Sequence, residues 1–518
     1  MDLHKLADEY IHLDRNERDQ AEIRQLVDSG NQNELQDRLA SRLTFGTAGL
    51  RAAMGAGYSR MNDLTVVQAS QPFAITQLKA SVGIMITASH NPKQDNGYKL
   101  YGSNGSQIIS PVDKDVAKRI EENLTPWIWD YTLAETSPLS LDPEHVIPQY
   151  FDALSKLSFS KDRNATSNLK ICYTAMHGVG YEYAVKAFEA FELPRFIPVA
   201  EQIYPDPDFS TVQYPNPEEG KGALALAMKT ADAAGAPVIF ANDPDADRLG
   251  VAEKLQDGTW HIFSGNELGA ILGVSLWRRW RERNANVGPR KVAMLISTVS
   301  SKLLHIVAQL EGFRCEETLT GFKWLGNRAH QLTAEGYEVL FAFEEAIGFM
   351  VGSTVRDKDG ISALAVLAEI ATDLHREGVS LYDFLQSIYQ KYGYFVSNNS
   401  YFICHDPAVI KAVFERIRYG DSPASSNPPL AYPKTIGKCT ITGIRDLTIG
   451  YDSTQAPPHT PLLPVSKSTE MITFTLDNGC TITLRTSGTE PKIKYYSELS
   501  GETREGAERE LEGIVREF

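Results

Sequence analysis

The chain has 518 residues, 42% of them hydrophobic and 23% charged, with a formal net charge of −15 at pH 7. That length predicts three or four domains with several apolar cores. The acidic balance argues against a nucleic-acid or anionic-membrane partner, local basic pockets aside. Five scattered cysteines, Cys172, Cys315, Cys404, Cys439 and Cys480, fit reduced thiols in a cytosolic protein, and no pair has metal-ligand spacing. Met1 to Gln20 is charged throughout, without the apolar core of a signal peptide, and no stretch reaches the length of a membrane-spanning helix. The expected compartment is the cytosol.

Residues 1–42 read as polar helices, with Leu3, Leu6, Ala7 and Tyr10 at helical spacing. A first domain, 43–166, opens on the glycine-rich turn Gly46-Thr47-Ala48-Gly49-Leu50-Arg51 and ends in a connection from about residue 124. Within it an apolar run (Val82, Ile84, Met85, Ile86) feeds Thr87-Ala88-Ser89-His90-Asn91-Pro92, followed by Asn96, Gly97 and Lys99. Polar loops at strand ends are where α/β sheets place their chemistry. Taken alone, the Ser89 hydroxyl reads better as a helix cap than as a reactive group.

A second domain, 167–290, starts at Leu169-Lys170-Ile171-Cys172-Tyr173. It carries Asn242-Asp243-Pro244-Asp245-Ala246-Asp247-Arg248 between two apolar runs, Val238 to Ala241 and Leu249 to Ala252. Three carboxylates on alternate residues repel one another unless a cation sits among them, and hard oxygen donors suit Mg²⁺ better than zinc. An EF-hand is excluded, because Arg248 stands at its sixth position and Lys254 at its twelfth. A solvated acidic turn is the remaining alternative.

A third domain, 291–395, begins at Val292-Ala293-Met294-Leu295-Ile296 and includes a helical pattern from Ser362 to Leu374. Its run Val339 to Ala342 leads into Phe343-Glu344-Glu345-Ala346-Ile347-Gly348, with Lys358-Asp359-Gly360 downstream. Such acids either bind sugar hydroxyls at a strand end or start a helix. The last domain, 396–518, differs: Met471 to Leu476, the turn Asp477-Asn478-Gly479 and Thr481 to Leu484 predict a hairpin, with a Glu/Arg-rich C-terminal helix covering the sheet. Its segment Arg485-Thr486-Ser487-Gly488-Thr489-Glu490-Pro491-Lys492 supplies what a phosphate cradle requires, hydroxyls, free N–H groups and an arginine, although a polar turn explains it as well in isolation. Alternating strands and helices predict three α/β domains with a closing α+β domain. Four chemical loops in four domains suggest one shared cleft.

Together and in this order, the four loops resemble the α-D-phosphohexomutase superfamily, and within it the phosphoglucomutase-2 group. The resemblance runs from about Leu43 to Tyr496 and includes His177-Gly178-Val179-Gly180, Tyr214-Pro215-Asn216-Pro217-Glu218-Glu219-Gly220 and Thr320-Gly321-Phe322-Lys323-Trp324. It implies a four-domain enzyme, three α/β domains with mixed sheets plus a C-terminal α+β domain. The implied activity is phosphoryl transfer through a phosphoserine and a sugar bisphosphate, which also serves as activator. By resemblance Ser89 is the phosphoryl carrier, and Ser89, Asp243, Asp245 and Asp247 hold Mg²⁺. Arg51, His90 and Arg248 contact the phosphoserine or its transfer, and Lys99 is the general acid/base. Gly321, Lys323, Glu344 and Lys358 belong to sugar recognition, and Arg485, Ser487, Gly488 and Thr489 grip the non-transferred phosphate. His177 reads first as a packed histidine. Small phosphosugars are the implied partners, and a monomer is the implied state.

The sequence departs from the family pattern twice. Ala346 stands where many hexose mutases place a serine, which removes one hydrogen bond to the sugar and makes pentose 1-phosphates plausible substrates. Only 37 residues separate Arg51 from Ser89, and Val66 to Gln71 runs straight into Pro72 to Leu78 where relatives insert a further strand–helix segment. A βαβ unit takes roughly 30 or more residues, so the first domain is expected to be incomplete, and activity reduced or absent. A bisphosphate synthase and a catalytically silent sugar-phosphate binder are the competing functions.

Overall fold

The computed structural model describes residues 2–46, 49–66, 68, 83–130, 132, 136, 146–288, 291–421, 429–467, 469–487 and 492–518. The junction between Ser70 and Val82, and Gly488 and Thr489 of the expected phosphate loop, lie outside them. The chain forms two compact units, one of residues 1–287, 291–294 and 321–382, the other of 288–290, 295–320 and 383–518.

The first unit begins with three helices, Leu3–Leu13, Glu17–Asp28 and Gln32–Leu39, each capped at its start by an Asp or Asn side chain, as the polar N-terminal pattern predicts. They close over Tyr10, Ile23, Leu35 and Tyr58. The sheet that follows holds β1 (Leu50–Ala53), β2 (Gly83–Ile86) and β3 (Asp95–Tyr101) in the order β1-β3-β2. Both ladders are antiparallel. Among the described residues this sheet shows antiparallel pairs alone, and the mixed pairing expected of the α/β domains is seen in the second sheet. On β2, Ile84 and Ile86 are 48% and 51% exposed.

The second sheet of this unit is the mixed one. β4 (Ile171–Thr174) lies between β5 (Ile197–Pro198) and β6 (Val238–Ala241) in parallel, and β7 (Gly250–Lys254) and β8 (Trp260–Ile262) extend it antiparallel. Every residue of β4 and β6 is buried, which is why both read as unbroken apolar runs. The helix Lys221–Ala234 packs Ala223, Leu224, Ala227 and Ala231 onto this sheet. Further along, Glu338–Glu344 and Gly348–Val351 pair antiparallel. The helix Gly360–Arg376, buried along most of its length, starts at Asp359, whose carboxylate accepts from the N–H groups of Ile361 and Ser362.

In the second unit, the strand Tyr394–Ile403 pairs along all ten residues with Lys492–Gly501, which pairs in turn with Thr481–Thr486 and that with Met471–Leu476. The helix Arg504–Glu517 buries Leu511 and Ile514 against this sheet, as its amphipathic pattern requires. Among the described residues no helix is long and apolar enough to cross a membrane.

Candidate active site

Three of the four chemical loops meet inside the first unit, each at a strand end. After β2 the backbone turns sharply at Ser89, whose φ is +56°. Thr87 sets that turn: its hydroxyl accepts from Ser89 N–H at 2.8 Å and donates to Asp245 Oδ2 at 3.1 Å. The Ser89 hydroxyl donates to Asp243 Oδ2 at 3.0 Å. It therefore faces the acidic loop and does not cap a helix.

The acidic loop after β6 is clamped on several sides. Asn242 donates to the Arg248 carbonyl at 2.6 Å and accepts from the Tyr173 hydroxyl at 2.8 Å. Val179 N–H donates to the Pro244 carbonyl at 2.9 Å. Gly178 sits so close that an added Cβ would lie 2.3 Å from Pro244 Cα, and at Gly360 it would lie 2.4 Å from the Arg248 carbonyl oxygen. Ala246 takes φ +56° at the apex and Ile347 φ +48° in the neighbouring acid-bearing turn. Non-glycine residues in that region are uncommon, and three of them, Ser89, Ala246 and Ile347, fall in the chemical loops.

Carboxylate oxygens of Asp243, Asp245 and Asp247 come within 4.8 Å of one another. Oδ1 of Asp245 and Oδ1 of Asp247 are buried without a hydrogen-bond partner, an arrangement that suits a hard divalent cation. Burial, with Asp245 and Asp247 beside it, pushes the Asp243 carboxyl well above its ordinary range. Asp247 is buried too, yet Lys358, Lys99 and Arg248 hold it below that range. The charges are near: Lys358 Nζ lies 3.1 Å from Asp247, and Lys99 Nζ 3.4 Å from Asp245 and 3.5 Å from Asp247. Lys358 is itself driven up: burial lowers it, but Asp247 and Asp357 outweigh that.

Arg248 joins three elements. Its N–H donates to Asp243, while Nη1 reaches both Glu218 Oε2 at 3.1 Å and the Ala346 carbonyl at 2.9 Å. Arg51 donates to Asn91 at 3.3 Å, and burial and Arg248 lower its proton affinity. Glu344 closes its strand and accepts from Gly321 N–H, so the helix-start reading of these acids is excluded. Burial raises the Glu344 carboxyl and lowers the Lys323 ammonium. His90 adjoins Ser89 in the same turn. His177 is buried with Nε2 2.7 Å from the Thr211 hydroxyl.

Arg485 and Ser487 lie in the second unit, where Arg485 donates to the Tyr496 hydroxyl at 2.9 Å. Thr87 and Glu218 were not singled out by sequence reasoning. Thr87 was legible, since a hydroxyl two residues before a turning serine is a standard turn cap. Glu218 was not, because its partner lies thirty positions away.

Segments of the chain match the three α/β/α domain models described as phosphoglucomutase/phosphomannomutase, domain I at 71–126, domain II at 148–256 and domain III at 264–392. The chain belongs to this phosphohexomutase family. More narrowly, it is 47% identical to a phosphopentomutase of Pongo abelii, covering 95% of this chain and 90% of that protein. It is 44% identical to a glucose 1,6-bisphosphate synthase of the same organism, covering 95% and 89%. A crystal structure of a phosphomannomutase-like protein from Thermus thermophilus shares the fold at 19% identity, with a TM-score of 0.56 over 87% of this chain and 80% of that one. The alignment with the phosphopentomutase spans 559 positions, more than the 518 residues available here. That relative therefore carries residues this chain lacks, and the domain I match begins at residue 71.

Proposed function

We propose that this chain is a Mg²⁺-dependent sugar-phosphate mutase that interconverts ribose or deoxyribose 1-phosphate with the 5-phosphate, and glucose 1-phosphate with the 6-phosphate more slowly. The observation that carries the reading is the Ser89 hydroxyl donating to a member of the Asp243–Asp245–Asp247 triplet, with Lys99 and Lys358 on the same carboxylates. Phosphoryl transfer depends on alignment and charge neutralisation more than on covalent help, and this cluster offers both.

In this reading Ser89 donates its phosphoryl group to a sugar-monophosphate hydroxyl. The oxygen–phosphorus bond at Ser89 breaks as the bond to the sugar oxygen forms, and the hydroxyl proton passes to Lys99, the general acid/base the resemblance implies. The bisphosphate then turns over and returns its other phosphoryl group to Ser89. Arg51, His90 and Arg248 hold the charge that develops on the phosphoryl oxygens. Gly321, Lys323, Glu344 and Lys358 orient the sugar; Arg485, Ser487, Gly488 and Thr489 hold the phosphate that does not react. Ser89, Asp243, Asp245 and Asp247 would hold Mg²⁺, which supplies charge neutralisation at the phosphoryl oxygens when bound. Domains at 43–166, 167–290, 291–395 and 396–518 follow an N-terminal helical segment, 1–42, in a cytosolic monomer.

The deciding experiment is incubation of the purified chain with ribose 1-phosphate and a trace of sugar bisphosphate, followed by mass spectrometry of the Ser89 peptide. Persistent phosphoserine with ribose 5-phosphate formation supports the mutase. Product only from glucose 1-phosphate plus 1,3-bisphosphoglycerate makes it a bisphosphate synthase. Ligand binding with neither product nor phosphoserine makes it a silent binder, the outcome a shortened first domain would favour.

A further inference from the structure

We propose that Glu218 is a positioning residue for phosphoryl transfer: it aims Arg248 at the ligand and, through its charge, limits how tightly that arginine holds a phosphate. The inference rests on the mutase reading above. Arg248 is the one cation of the acidic loop itself, its side chain only 16% accessible. Nη1 is occupied twice, by Glu218 Oε2 at 3.1 Å and by the Ala346 carbonyl at 2.9 Å. Nε is buried with no hydrogen-bond partner, 3.9 Å from both Asp243 and Asp247. One edge of the guanidinium is thus tethered, while the edge beside the carboxylate triplet keeps donors for an incoming anion.

The turn that presents Glu218 is built to hold still. Asn216 caps it by accepting from Glu218 N–H at 3.1 Å. Pro217 is buried against β7, where a Cβ on Gly250 would lie 2.5 Å from Pro217 Cβ. The Glu218 side chain itself stays a third accessible, so it can yield when a phosphate competes for the arginine. The tether on the other side is equally fixed, since Leu249 N–H donates to the Ile347 carbonyl at 3.1 Å. A mutase must let its bisphosphate turn around between the two transfers, so the contacts to each phosphate have to break and re-form. An arginine without its own carboxylate would grip that dianion too firmly for the turn.

The test compares wild type with Glu218→Gln, which keeps an acceptor oxygen and loses the charge, and Glu218→Ala, which loses both. Titration calorimetry with glucose 1,6-bisphosphate and steady-state kinetics with ribose 1-phosphate are the readouts. Glu218→Gln is expected to bind bisphosphate several-fold more tightly and to lose kcat by a similar factor. Glu218→Ala is expected to lose kcat by about 10- to 100-fold, the span of one charge-assisted hydrogen bond. Glu219→Gln, one residue on, serves as the neutral control. Unchanged or weaker bisphosphate binding by Glu218→Gln overturns the inference. A wild-type chain that neither binds nor turns over sugar bisphosphate overturns the mutase reading and this one with it, whereas a binding wild type unaffected by Glu218→Gln overturns this one alone.

Discussion

Two sheets of the first unit, that of β1–β3 and that of β4–β8, do the same job with unequal support. Each delivers a chemical loop from a strand end, Ser89 after β2 and Asp243 to Asp247 after β6. β6 is buried along its whole length between β4 and β7. β2 ends its sheet among the described residues and shows two isoleucines to solvent. The tip of the serine loop is held by contacts of its own, Thr87 to Asp245 and Ser89 to Asp243, although β2 beneath it is half-exposed. The comparison predicts that site geometry and domain stability respond to different substitutions in this molecule.

The sharpest way to break that comparison is at the tips. Ser89→Ala should remove phosphoserine and lower turnover by on the order of 10³-fold or more, read by mass spectrometry and coupled assay, with little change in unfolding midpoint. Next come the strands themselves. Ile239→Ala, in fully buried β6, should cost about 2–5 kcal/mol in urea unfolding, while Ile86→Thr, on half-exposed β2, should stay within roughly 0.5 kcal/mol. Equal costs at the two positions would mean that β2 is as well covered as β6.

Gly178→Ala should cost about 1–3 kcal/mol by forcing the acidic loop away from its backing turn, and should weaken Mg²⁺ binding in parallel. A pH scan provides the smallest effect and a contrast with the second unit. There Glu317 is buried, which alone would raise it, but Lys302 and Arg445 bring its carboxyl down to about 2. The folded state therefore binds that proton less tightly than the unfolded one. The stabilisation is complete above the ordinary glutamate range, near pH 4.5, and is lost as pH falls from there toward 2. Glu317→Gln should flatten that limb of the stability curve, measured by thermal unfolding between pH 2 and 5.

Much of this was legible from the residues. Unbroken apolar runs such as Val238 to Ala241 became buried strands, and the Asp477-Asn478-Gly479 turn sits between its two predicted strands. The alternation of Asp243, Asp245 and Asp247 became the carboxylate cluster. Two things were not legible. The antiparallel first sheet could not be read, because pairing direction depends on neighbours and not on the run itself. The Arg248–Glu218–Ala346 junction escaped because a carbonyl acceptor carries no side-chain signature. Glu344 was ambiguous until its strand was seen to continue through Phe343, which removed the helix alternative.

Ser89, Ala246 and Ile347 all sit at positive φ without being glycine. Left-handed backbone costs an L-residue roughly 1–2 kcal/mol, so mutational tolerance at these three places should invert the usual order. In a saturation library selected only for folding, glycine and asparagine should be enriched at 246 over valine and isoleucine, although helices and sheets elsewhere in the chain favour the opposite. At 347 the buried aliphatic surface pulls against that preference, which makes it the codon where local backbone ease and core filling can be weighed against each other directly.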